Sequence, residues 1–179
     1  MSSRDPHRPL LTRRVFLASS LAVGVAGCAG GGFSPLYGVT SSGADLESTL
    51  ASVNVIPIPG RVGQQLRNEL LFSMRGGGSD LGADYELRIA IRESVRQIIR
   101  ERDGDSQGEV YRITSEFQLL NTGDSAVLLK GENVAQAAYR RFDSIFANLR
   151  ARRDAENRAA KDSARSISTR VAAFLSRTG

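Results

Sequence analysis

From Tyr85 to Arg100 the chain takes on a period of two. Tyr85, Leu87, Ile89, Ile91, Val95 and Ile99 fall on one parity, and Arg88, Arg92, Arg96 and Arg100 on the other. Alternation at period two is the mark of a strand with one apolar and one charged face. A strand this long cannot stand alone and needs partners of similar length. The sequence supplies two. "RDGDSQG" reads as a turn, after which Tyr111, Ile113, Phe117 and Leu119 alternate along a second strand. "NTGDS" reads as another turn, and "AVLLKGENVAQAAY" returns as a third long strand.

The flanking segments change period. "ASVNVIPI" (Ala51 to Ile58) reads as a short β run on Val53, Val55 and Ile58, stopped by Pro57 and Pro59. Val62, Leu66, Leu70 and Met74 then recur at helical spacing before three glycines. The last segment carries Phe146, Leu149, Ala160, Ala164, Ile167, Val171, Phe174 and Leu175 as a broad helical stripe. Its charges fall at i,i+4: Arg150–Asp154, Asp154–Arg158, Arg158–Asp162 and Arg152–Glu156. Each such pair contributes only tenths of a kcal/mol and marks a solvated face. The expected fold is α+β: a single domain over 51–179, with a four-stranded sheet and two helices packed on one face, in β-α-β-β-β-α order.

The N-terminal part reads differently. Residues 1–27 carry Arg4, Arg8, Arg13 and Arg14 and then the apolar run "VFLASSLAVGVAG". That run is short of the roughly 20 apolar residues a permanent span needs and has the plan of a removable signal peptide. "TRRVFL" resembles a twin-arginine export signal on Arg13 and Arg14, although ordinary leaders also carry paired arginines. "VAGC" resembles a bacterial lipobox, whose small residues admit a signal peptidase and whose thiol is acylated. Cleavage would make Cys28, the single cysteine of the chain, a lipidated first residue. Diacylation with N-acylation supplies enough hydrocarbon to hold the protein on a membrane, which one chain alone does not. Ala29 follows where an Asp would retain a lipoprotein at the inner membrane, and so favours the outer membrane. Residues 28–50, rich in Gly, Ser, Ala and Thr, read as a flexible lipidated tether.

Charge and chemistry exclude several functions. The 24 basic and 19 acidic residues of the full chain include four arginines and Asp5 in the leader. The remainder is therefore near neutral, with 20 basic and 18 acidic groups, and lacks the clustered excess that nucleic-acid binding requires. The only histidine is His7, also in the leader. Without His or a free thiol the domain cannot assemble the usual zinc sites or a histidine-activated nucleophile. "RGGGSD" has glycines but no Gly-Lys-Ser/Thr and is no phosphate loop. The chain thus reads as non-enzymatic, with no metal, no cofactor and no nucleic-acid partner.

"GFSPLYG" after the lipobox, "RVGQQLRNELLFSM" in the first helix and "FANLRARRDAENRAAKD" opening the last resemble the LptE family of lipopolysaccharide-assembly lipoproteins, especially its alphaproteobacterial branch. Ala29, Gly30 and Gly31 stand where the family commonly places Gly-Phe directly after the lipid cysteine. The resemblance implies a plug within the large outer-membrane β-barrel LptD, one that assists the barrel's assembly and lipopolysaccharide delivery to the outer leaflet. It also implies lipopolysaccharide binding, an outer-membrane location on the periplasmic side and a membrane anchor at Cys28. The other reading from a different class is a periplasmic lipoprotein serving as an auxiliary subunit of an inner-membrane transporter.

Two readings fit the arginine row. Arg88, Arg92, Arg96 and Arg100, with Arg102 at the hairpin tip and Arg112 and Lys130 on the next two strands, form a cationic face. The arginine fork suits phosphate, so this face could meet lipopolysaccharide phosphates. Alternatively it is a solvated face paired with Glu86, Glu116 and Glu132, in a chain with 22 arginines and two lysines. Tyr85, Tyr111 and Tyr139 read as rim or core aromatics. Phe33, Pro35, Leu36 and Tyr37 read as a docking segment of the tether or a local turn.

Overall fold

The computed structural model describes residues 46–76, 82–98 and 108–178. Their elements are α1 (Leu46–Ala51), β1 (Val53–Val55), α2 (Arg61–Arg75), β2 (Tyr85–Ile98), β3 (Gly108–Asn121), β4 (Val127–Arg140) and α3 (Ile145–Thr178). The alternating segments form the three long strands, each of 14 residues. The sheet order is β1-β2-β3-β4. β1 runs parallel to β2, as a crossover through a helix requires, and the other pairs are antiparallel. The expected α+β architecture is therefore present.

Two local expectations are corrected. The β run stops at Val55; Ile58 is buried beyond the strand. Residues 46–50, expected as the end of the tether, form most of α1, which buries Leu46 and Leu50. Six residues are too few to display a helical period, and the two leucines sit in a segment of small polar residues. The rest of the tether and the leader, with Cys28, Arg13 and Arg14, lie outside the described residues, as do Phe33, Pro35, Leu36 and Tyr37.

The core lies between one sheet face and the helices. Val62, Leu66, Leu70 and Met74 of α2 are all buried, as their spacing predicts. Gly76 ends α2 in the left-handed region (φ 55°), its N–H donating to Phe72 O at 3.0 Å. Leu87, Ile113, Phe117 and Leu119 line the covered sheet face. α3 approaches through small side chains: Ala155, Ala159, Ala160, Ser163 and Ala164 are buried, as are Ala135 and Ala137 of β4. At the centre Ser163 Oγ lies 3.0 Å from Ser115 Oγ and accepts from Asn133 Nδ2 at 3.0 Å. Beside them the Phe117 ring covers Gly131, its cross-strand partner. A Cβ on Gly131 would come within 2.6 Å of the ring.

α3 corrects a further expectation. Its burial begins at Ala155, whereas Phe146 and Leu149, placed on the apolar stripe by spacing, are exposed. With Phe142 and Ile145, which is 87% exposed, they form an apolar patch where β4 passes into α3. Ser144 Oγ accepts from Ala147 N–H at 3.4 Å, capping the helix. The Arg150 guanidinium stands 5.4 Å from the Phe146 ring centre, a cation–π contact.

The outer strands of the sheet are dressed by arginines. Tyr85 N–H meets Ser52 O at 3.4 Å, and Leu87 O accepts from Ile56 N–H at 3.1 Å. Odd-numbered β2 residues thus turn their backbone groups toward β1, and even-numbered ones toward β3. On the far side of β1, Val55 O accepts from Arg67 Nε at 2.9 Å and Val53 O from Arg75 at 3.3 Å. On the far side of β4, Glu132 O accepts from Arg170 at 2.7 Å and Ala138 O from Arg158 at 3.0 Å. Each helix next to an outer strand therefore supplies cations to that strand's outward carbonyls.

Candidate functional site

The sheet face turned away from the helices gathers the cations that the alternation put there. The register sets Arg88 beside Gln118 and Gln118 beside Lys130, a row across three strands. Farther along, Ser94 pairs with Arg112 and Arg112 with Gln136. Arg88, Arg92, Arg96, Arg112 and Lys130 therefore share one face, with the β2 arginines about 13 Å apart at roughly 3.3 Å per residue. Arg100 and Arg102, assigned to the same face and its tip, lie outside the described residues.

The expected acidic partners are only partly engaged. Arg88 pairs with Glu86. Glu116 and Glu132 face one another across β3 and β4, beside Ala90, and form an acidic row between the cations. Among the described residues, no ion pair reaches Arg92, Arg96 or Arg112. Two solvated rows of opposite sign thus lie side by side, leaving Arg92 and Arg96 available for an outside anion.

A shallow groove of about 370 Å³ sits at the distal end of this face, lined by Ser94, Arg96, Ile98, Val110, Arg112 and Gln136 among others. Its cations flank two apolar side chains. Such a surface suits an amphiphile with an anionic group, but it holds no acid–base or nucleophilic constellation. Among the described residues, no three His, Cys, Asp or Glu side chains gather as a metal site would need. The groove was not legible in the sequence, because it depends on the register that sets Ser94 and Arg96 of β2 beside Arg112 and Val110 of β3.

The tyrosines lie on the opposite, helix-covered face. Tyr111 is fully buried, while Tyr85 and Tyr139 are half-buried against the core. Tyr111 Oη donates to Glu93 Oε2 at 2.6 Å. Burial, reinforced by that carboxylate, pushes its ionisation far above the ordinary tyrosine range. Tyr139 Oη donates to Glu109. Burial first, and then this hydrogen bond, pushes Tyr139 up to about 12. Both hydroxyls are donors in a polar margin beyond the aliphatic core. Glu156, buried on α3, closes that margin with Arg152 at 3.0 Å and with Arg61.

Comparison with known proteins places this arrangement. A family model described as LptE, lipopolysaccharide-assembly, matches residues 49–171. A candidate lipoprotein from Caulobacter crescentus CB15 superposes with a TM-score of 0.61 at 26% identity, covering 73% of this chain and 95% of that one. A minor lipoprotein from Acinetobacter baumannii gives 0.53 at 16% identity, over 69% and 92% of the two chains. Lipoprotein B from Nitrosomonas europaea gives 0.53 at 17%, over 69% and 83%. The last two show a shared fold. No match was found among curated protein sequences.

Proposed function

Because the chain belongs to the LptE lipopolysaccharide-assembly family, we propose that it is a non-enzymatic outer-membrane lipoprotein that plugs the LptD β-barrel. In that role it assists the barrel's assembly and takes part in carrying lipopolysaccharide to the outer leaflet. The match over residues 49–171 carries this reading, since it spans nearly all of the described domain.

Several features support it. The lumen of a wide outer-membrane barrel is polar, and the open sheet face is polar and charged to match. The apolar patch of Phe142, Ile145, Phe146 and Leu149 is of the kind that a partner covers. Lipid on Cys28 would hold the chain at the membrane; among the described residues no helix is long and apolar enough to cross one. Residues 1–27 would serve as the signal peptide, with Arg13 and Arg14 directing twin-arginine export, and the following residues as the tether. The chain would belong to the alphaproteobacterial branch. Arg88, Arg92, Arg96, Arg112 and Lys130, continued by Arg100 and Arg102, would meet lipopolysaccharide phosphates.

Affinity purification of the native lipoprotein from envelopes in mild detergent tests the reading. A large β-barrel recovered in roughly equal amount is the expected result. Subunits of an inner-membrane transporter in its place, or no stable partner, would overturn it.

A further inference from the structure

β2 outruns its parallel neighbour. β1 pairs only with Tyr85, Glu86 and Leu87, and β2 continues to Ile98. Beyond Leu87 the odd-numbered residues Ile89, Ile91, Glu93, Val95 and Gln97 turn their N–H and C=O groups to that same side. Among the described residues nothing bonds to them there. The open stretch runs about 26 Å at roughly 3.3 Å per residue.

The contrast with the other edges gives this gap its meaning. β1 has both its outward carbonyls occupied by Arg67 and Arg75. On β4, Arg170 and Arg158 hold Glu132 O and Ala138 O. Val134 and Gln136 remain between them, and Lys130 before them next to the irregularity opposite Leu119 and Leu120, each too short a run for a strand to enter. Unblocked edges invite pairing with other chains, and proteins ordinarily cover them. Among the described residues, then, the covering has been applied to two edges and is missing from the third.

We propose that the β2 edge from Ile89 to Gln97 accepts an extended acidic segment of a partner protein as a fifth strand. Main-chain bonds would supply affinity and the alternating side chains specificity, as in other strand-addition complexes. One parity of the incoming strand would lie beside Arg88, Arg92 and Arg96, favouring Glu or Asp. The other would lie beside Ile89, Ile91 and Val95, favouring β-branched residues. Charge complementarity excludes a second copy, since pairing β2 with itself would crowd two arginine rows onto one face.

A ten-residue peptide alternating Glu with Val and Thr, added to the full-length protein in detergent, is the probe, read by amide hydrogen exchange. Even-numbered β2 amides, already bonded to β3, should exchange slowly throughout. The amides of Ile89, Ile91, Glu93, Val95 and Gln97 should slow at least tenfold when the peptide is added. A peptide with Lys in place of Glu should leave them unchanged. Val95→Pro removes an outward N–H without touching the β2–β3 bonds and should abolish the effect. The double substitution Arg92→Glu with Arg96→Glu leaves the backbone alone and should reverse the preference to the Lys peptide. No slowing at saturating peptide, or equal binding of both peptides, would overturn the proposal. So would protection present before peptide is added, which would assign the edge to this chain's own residues or to a second copy.

Discussion

Asn133 on β4 donates its side-chain amide to the hydroxyl of Ser163 on α3 at 3.0 Å, inside an otherwise apolar interface. Both residues are buried, and Ser115 completes the group from β3. Three elements are thereby held in one register by three small polar side chains. Ser163→Ala should destabilise the domain by about 1–3 kcal/mol, because it strands a buried amide. Denaturant unfolding of the two proteins measures this. A change below about 0.5 kcal/mol would mean the group is satisfied in another way.

Gly131→Ala should also be costly, by about 1–3 kcal/mol, the usual range for overpacking. Its new methyl would collide with the Phe117 ring. Combining it with Phe117→Leu should cost less than the two single changes added, as contacting residues do not act independently. Strict additivity in a double-mutant cycle would refute the contact.

Alkaline pH should destabilise the fold through its tyrosines. Tyr139 is raised from 10.0 to about 12, and Tyr111 is raised further. Above pH 10 the unfolded chain loses these protons while the folded one keeps them, so stability falls as pH rises. The contribution is complete below pH 10 and is lost through about 12 for Tyr139. Unfolding midpoints followed from pH 9 to 12 should decline, and Tyr139→Phe should flatten the decline. An unchanged slope in that variant would remove Tyr139 from the account.

Replacing Arg92, Arg96 and Arg112 together with Ser should weaken lipopolysaccharide binding at least tenfold at low salt and leave the fold intact. Arg92 and Arg96 are exposed, and surface changes of this kind usually fall within about 0.5 kcal/mol. Binding to immobilised lipopolysaccharide, with circular dichroism as the control, measures both. Unchanged binding would identify this side as merely solvated.

Arg158→Ala with Arg170→Ala should uncover the β4 edge. Little stability should be lost, since exposed side-chain bonds contribute only modestly. Self-association should rise, seen by light scattering as a concentration-dependent increase in mass. A strictly monodisperse double variant would show that the arginines do not guard the strand.

How much of this was legible depended on whether a property was local. The long strands announced themselves through alternation from Tyr85 to Leu119, and α2 through four apolar residues one turn apart. The co-facial placement of Arg88, Arg92, Arg96, Arg112 and Lys130 followed from parity, which the register then confirmed. Burial along α3 was not local. Phe146 and Leu149 look like core residues until the sheet is in place, whereas Glu156 looks solvated until Arg61 and Arg152 close over it. Arg158 looked like half of a helical ion pair. It does pair with Asp154 at 2.8 Å, but it also reaches the carbonyl of Ala138, a backbone group that no side-chain pattern reports.

The arginines along the outer strands bear on number as well as on stability. A sheet that can grow at both sides is a repeat unit, and each copy added leaves a place for the next. With arginines on the outward carbonyls of both outer strands, the described residues leave no run at either side long enough for such a succession. A segment added along β2 would therefore join once, its stoichiometry set by the domain and not by concentration. In a crowded envelope that is the difference between a component and a seed.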